Sequence, residues 1–130
     1  MGAVITKDGL AIVANRVKGL GTEPLYLAWG TGTTEATSSD TALETEDTTV
    51  GYARVAGVSS IVTISETDDT YQVSGSITAA AALTITEWGI FDASSSGNML
   101  YHEVSVPGFD LAIGGILNFV IKFQISECAE

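Results

Sequence analysis

The closing segment of the chain constrains the fold more than any other. Leu117, Phe119, Ile121, Phe123 and Ile125 fall on alternate positions, with Asn118, Lys122, Gln124 and Ser126 between them and Val120 as the apolar exception on the polar side. Successive side chains of a strand point to opposite faces, so this segment presents one apolar face and one wet face. The same period appears in Tyr71, Val73, Gly75 and Ile77 against Gln72, Ser74, Ser76 and Thr78, and period two dominates from Val50 onward. Alternation this regular belongs to antiparallel sheets with one face in water. Leu83 and Ile85 share one parity while Trp88 and Ile90 share the other, and a β-bulge near Thr86-Glu87 reconciles them. Turn formers cluster at Glu66 to Asp69, Ser94 to Asn98 and Pro107 to Asp110. Short strands spaced in this way predict an all-β fold, a sandwich or a barrel, and the antiparallel β-sandwich is the expected one.

One helix precedes the strands. Thr6 is its expected N-cap, Lys7 to Lys18 form its body, and Gly19 and Gly21 end it. Leu10, Val13, Ala14 and Val17 recur at helical spacing and mark its apolar stripe. Arg16 and Lys18 sit in the last turn, where the helix dipole favours cations. Pro24 opens an extended run, Leu25 to Trp29, which ends in the Gly30 to Thr34 loop. Glu35 to Thr49 is polar and acidic, with one short helical turn expected at Thr41 to Glu46 behind an Asp40 cap. The 130 residues are read as a single sandwich domain over 1–130, with a short arm at 1–5 and a helix at about 6–18. Its expected core is Leu27, Ile64, Val73, Ile77, Ile85, Phe91, Leu100, Phe119, Ile121 and Phe123.

Composition excludes several function classes. Five Lys and Arg against sixteen Asp and Glu give a net charge of −11. Phosphate binding depends on clustered cations, so nucleic acid is not an expected partner. No apolar run approaches the roughly 20 residues of a membrane span, and no basic segment leads an apolar stretch at the N-terminus. No membrane partner is expected, and assembly is placed in a cytoplasm. Cys128 is the only cysteine and can form no intrachain disulfide.

The motifs that could carry chemistry have plainer readings. A P-loop needs Lys followed by Ser or Thr after its glycines, and a dinucleotide fingerprint needs a helix there; Gly30 to Thr34 leads into an acidic loop instead. His102 is the sole histidine, and no Gly-x-Ser-x-Gly elbow accompanies it. It is read as a surface or packing residue of a strand. Glu44, Glu46 and Asp47, like Glu66, Asp68 and Asp69, lack calcium-loop spacing and are read as solvated loops. Trp29, Trp88, Tyr26, Tyr52, Phe91 and Tyr101 are assigned mostly to the core. The reading is a non-enzymatic chain with no cofactor, no catalytic residue and no metal ligand.

Three stretches in order carry a family resemblance. Tyr26-Leu27-Ala28-Trp29-Gly30-Thr31-Gly32-Thr33-Thr34 is an apolar strand running into Gly-x-Gly-x-x, followed by Asp40-Thr41-Ala42-Leu43-Glu44-Thr45-Glu46. Ile85-Thr86-Glu87-Trp88-Gly89-Ile90-Phe91-Asp92-Ala93 and Gly97-Asn98-Met99-Leu100 come next. Together they resemble small structural proteins of tailed phages, of the tail-fibre, tail-collar or capsid-decoration type, over roughly Thr6 to Ile125. Relatives carry Arg-Lys where this chain has Asp47-Thr48-Thr49. Physically, Gly30 and Gly32 are read as glycines with φ > 0 at a sharp turn, Asp40 as a cap, Leu43 as a core anchor, and Gly89 as a site of close approach.

The resemblance implies a virion component assembled in the host cytoplasm. Because the module fills the chain and is acidic, the expected role is capsid decoration, or cement, on the outside of the shell. The implied partners are the major capsid protein or other virion proteins, with a homo-oligomer or multivalent copies. A tail-fibre or tail-tip component is the alternative, and a carbohydrate-binding module a further one. Val4 and Ile5, in the Met1 to Ile5 arm, are the candidate docking residues.

Overall fold

The computed structural model describes residues 2–48 and 53–127. Val50, where the sequence alternation begins, Tyr52 of the aromatic set and Cys128 lie outside the described residues, as do Met1 and Thr49. The chain runs β1 (Ala3–Ile5), α1 (Lys7–Val17), β2 (Tyr26–Gly30), β3 (Val55–Ala56), β4 (Val58–Val62), β5 (Thr70–Thr78), β6 (Leu83–Phe91), β7 (Met99–Leu111) and β8 (Ile116–Gln124). Two antiparallel sheets face each other, one ordered β1-β7-β6-β2-β3 and the other β4-β5-β8. The fold is the expected all-β sandwich with one N-terminal helix.

The alternating segments pair with each other and share their buried faces. Val73 lies opposite Ile121 and Gly75 opposite Phe119, so the inner face of the small sheet is continuous. Phe119 and Ile121 are buried while Val120, Lys122 and Gln124 are exposed, which fixes the register of β8 as the alternation predicts. From the large sheet Leu27, Trp29, Ile85, Trp88 and Ile90 meet them in the main core. The parity break in β6 is a register shift between Ile85 and Glu87. It turns Glu87, Gly89 and Phe91 to the outer face, where Ala28, Leu43, Phe91 and Met99 form a second, smaller core.

The N-cap is also as expected: the Gly9 N–H donates to Thr6 Oγ1, and the Thr6 hydroxyl in turn donates to the Met99 carbonyl. The helix buries a different face from the one its apolar spacing marks. Gly9 and Ile12 are buried, whereas Leu10 and Val17 are 64 % and 85 % exposed. Gly9 decides this, because a Cβ there would come within 2.7 Å of the Leu100 carbonyl oxygen. The helix lies with its glycine against β7, and the stripe through Leu10 and Val17 turns outward.

Other expectations are corrected by the structure. Thr41 to Glu46 is not helical, because the N–H groups of Glu44 and Thr45 point at Glu87 rather than along a helix. Pro107 to Asp110 lies inside β7, with a cis Val106-Pro107 bond, and the chain reverses instead between β7 and β8, where Gly114 has positive φ. Ile64 is exposed, since β4 ends at Val62 and the next residues form a turn. Phe123 is only half-buried, near the open end of the small sheet. The other eight expected core residues are buried.

Candidate functional site

The loop between β2 and Asp47 folds back over the outer face of the large sheet and is held there by one carboxylate. Glu87 Oε2 accepts the N–H groups of Gly32 at 2.8 Å and Thr45 at 2.7 Å. Its Oε1 accepts the Glu44 N–H at 2.9 Å and faces His102 Nε2 at 3.0 Å. The other ring nitrogen, Nδ1, lies 2.8 Å from Asp40 Oδ2. Asp40 also accepts from the N–H and hydroxyl of Thr37. Glu87 and His102 are buried, and Asp40 closes the cluster at the solvent side.

These contacts set the charges. Burial disfavours the ionised form of Glu87, but the donors His102, Thr45, Glu44 and Gly32 outweigh it and lower its pKa. Burial likewise opposes ionisation of Asp40, and the Thr37 and His102 contacts again lower the pKa. For His102, burial favours the neutral ring, yet Glu87 and Asp40 together raise its pKa above the ordinary value. Two carboxylates, one on each ring nitrogen, favour the doubly protonated ring, which donates to both Glu87 and Asp40. With both nitrogens engaged by carboxylates, His102 offers no lone pair to take a proton from a nucleophile. The arrangement is suited to clamping backbone.

The local sequence explains the close fit. A Cβ on Gly30 would lie 2.3 Å from the Thr45 carbonyl oxygen, and one on Gly32 would lie 2.4 Å from Glu87 Oε2. The glycines are there for close approach; neither has positive φ, which corrects the expected turn geometry. Gly89 does act as expected, because a Cβ there would reach the Tyr101 carbonyl at 2.7 Å and Leu43 at 3.2 Å. Leu43 is buried against this second core. Asp40 caps the Thr37 turn rather than a helix.

Gly30, Gly32, Asp40, Leu43, Glu87 and Gly89, singled out from separate stretches of sequence, therefore meet in one place. Val4 and Ile5 do not join them as a free arm. They belong to β1 at the edge of the large sheet, where Val4 is the register partner of His102. Sequence reasoning missed His102 as the hub, although it shares parity with the buried Leu100 and Val104. It also missed Glu44, whose carboxylate accepts from the N–H groups of Thr33 and Thr34, and Arg54. The Arg54 guanidinium forks onto Glu46 at 2.8 and 2.9 Å, donates to the Ala93 and Ser96 carbonyls, and lies 3.6 Å from the Phe91 ring centre. No local signal marks it. Among the described residues no cluster of His, Cys, Asp and Glu has the geometry of a metal site.

Every residue of this clamp falls inside one family match. The family model described as podophage GP4 fiber I protein gp80 matches residues 15–122. The chain belongs to the podophage fiber I protein gp80 family. No curated protein and no solved structure gives a significant match. Membership in the gp80 family makes the chain a structural protein of the virion, as the resemblance implied. It also favours the tail-fibre alternative over capsid decoration.

Proposed function

We propose that this chain acts as one β-sandwich module of a podophage tail fibre. The observation that carries the reading is the gp80 family match over residues 15–122, from the end of α1 into β8. The architecture supports a mechanical role. The large sheet is covered on its inner face by the small sheet and on its outer face by the clamped loop, so both faces are packed. Buried hydrogen-bonded networks of this kind rigidify a fold. In this reading the partners are other fibre and tail proteins, several copies act together, and the outer edge of β1, with Val4 and Ile5, is an attachment edge.

The test is fractionation of purified virions. Tails are separated from emptied heads, and this chain is detected in each fraction by an antibody. It is expected to travel with the tails. Recovery with the heads, at many copies per shell, overturns the reading in favour of capsid decoration on the major capsid protein.

A further inference from the structure

Val17, on the apolar stripe of the helix, Ile64, an expected core residue, and Ile125, on the apolar face of the last strand, are 85 %, 51 % and 59 % exposed. Val17 and Ile125 line one feature, and the turn that carries Ile64 is tied to Ile125. An open groove of about 470 Å³ runs between α1 and the end of the small sheet, with Val13, Arg16 and Val17 on one wall and Ile61, Phe123 and Ile125 on the other. Glu23, the acid that also lines it, accepts from the Ser59 hydroxyl at 2.7 Å.

The turn from Thr63 to Asp69 stands at the sheet-side rim. Asp69 fixes its shape by accepting the N–H groups of Ile64, Ser65 and Glu66 at 3.0 to 3.1 Å. The Asp69 carbonyl ties the turn to Ile125. Held this way, the turn shows Ile64, Glu66 and Asp68 to solvent as a small apolar knob flanked by acids. The helix wall carries the groove's lining cation. Arg16 lines the groove, with its Nη1 donating to the Gly21 carbonyl at 3.0 Å, and Lys18 follows it at the exposed C-cap of the helix. An apolar groove with Arg16 on its helix wall thus lies beside an apolar knob with acidic flanks. A patch that carries both halves of a complementary pair is what a two-fold contact between identical chains requires.

We propose that the α1 groove is a self-association site, filled by the Thr63–Asp69 turn of a second copy. Ile64 seats against Val13 and Val17, and Glu66 and Asp68 meet Arg16 and Lys18. The two-fold axis lets each copy insert its turn into the other's groove. The contact is between copies and stands apart from where in the virion the chain sits.

Sedimentation velocity of the full chain over a concentration series tests it. A dimer is expected, weakening as NaCl rises because its charge pairs are exposed. Val17→Asp and Ile64→Asp each place an acid on one half of the contact and are expected to raise the dimer Kd by about tenfold or more. Both side chains are solvent-exposed, and circular dichroism checks that each variant keeps the native strand signal and melting temperature. A chain that stays monomeric at every concentration overturns the proposal. So does an oligomer that either substitution leaves intact, or one that tightens with salt.

Discussion

His102 Nε2 lies 3.0 Å from Glu87 Oε1, on side chains that are respectively 3 % and 0 % exposed. Those two residues join three stretches of chain. Glu87 collects backbone N–H groups from residues 42 to 55 positions away, and His102 carries the contact on to Asp40, 62 positions away. The clamp holds the Gly-x-Gly loop and the Asp-Thr-Ala-Leu segment on the sheet.

Removing the carboxylate should therefore loosen a whole layer. Glu87→Ala leaves three backbone donors and the buried Nε2 side of His102 without an acceptor. Breaking a buried pair in this way costs about 3–5 kcal/mol. Urea unfolding is expected to show a loss of that size, with faster hydrogen exchange at the Glu44 and Thr45 amides. Glu87→Gln, which keeps the shape and one acceptor oxygen, should lose less.

The same cluster predicts a plateau of stability against pH. Asp40 and Glu87 have folded pKa values below 3.8 and 4.5, so their contribution is complete above about pH 4.5 and fades as pH falls through the lowered values. The folded pKa of His102 lies above 6.5, so its contribution is complete below about pH 6.5 and fades as pH rises through the raised value. Melting temperature should be highest between these limits and fall on both sides. His102→Gln should flatten the onset of the alkaline fall just above pH 6.5. The half-buried phenols of Tyr71 and Tyr101, raised above an ordinary 10.0, add a separate loss at higher pH.

Gly30→Ala tests close approach against backbone freedom. Its Cβ would fall 2.3 Å from the Thr45 carbonyl oxygen, whereas Gly2→Ala meets nothing within 4 Å. Overpacking of this kind costs about 1–3 kcal/mol, so thermal denaturation should show a clear loss for Gly30→Ala and none for Gly2→Ala.

Much of the strand framework was legible because it is local. The alternation of β5 and β8, the bulge between Ile85 and Glu87 and the Thr6 cap are each set by neighbouring residues, and each appears where the sequence puts it. What was not legible depends on distant partners. Glu44 and Thr45 look helical until Glu87 takes their N–H groups. Pro107 and Gly108 look like a turn, but the strand runs through them, with Phe109 opposite Ile85. Gly30 and Gly32 were marked correctly for the wrong reason, since nothing nearby in sequence shows the atoms that crowd them. His102 was weighed as a catalyst or a packing residue, and its two carboxylates come from other segments.

Arg54 provides a test of long-range geometry in the same layer. Its planar fork matches the Glu46 carboxylate while its face covers Phe91, a combination lysine cannot reproduce. Arg54→Lys is expected to destabilise the fold by about 1–3 kcal/mol in urea unfolding. An unchanged midpoint would show that the fork contributes nothing.

As the proposed tail-fibre module, this gp80-family sandwich should sit on the tail of the virion. Gold-tagged antibody fragments against the exposed Ser94–Asn98 turn, applied to intact virions and viewed by electron microscopy, test it most directly. Label confined to the tail and its appendages is the expected result. Label spread evenly over the capsid surface would contradict it.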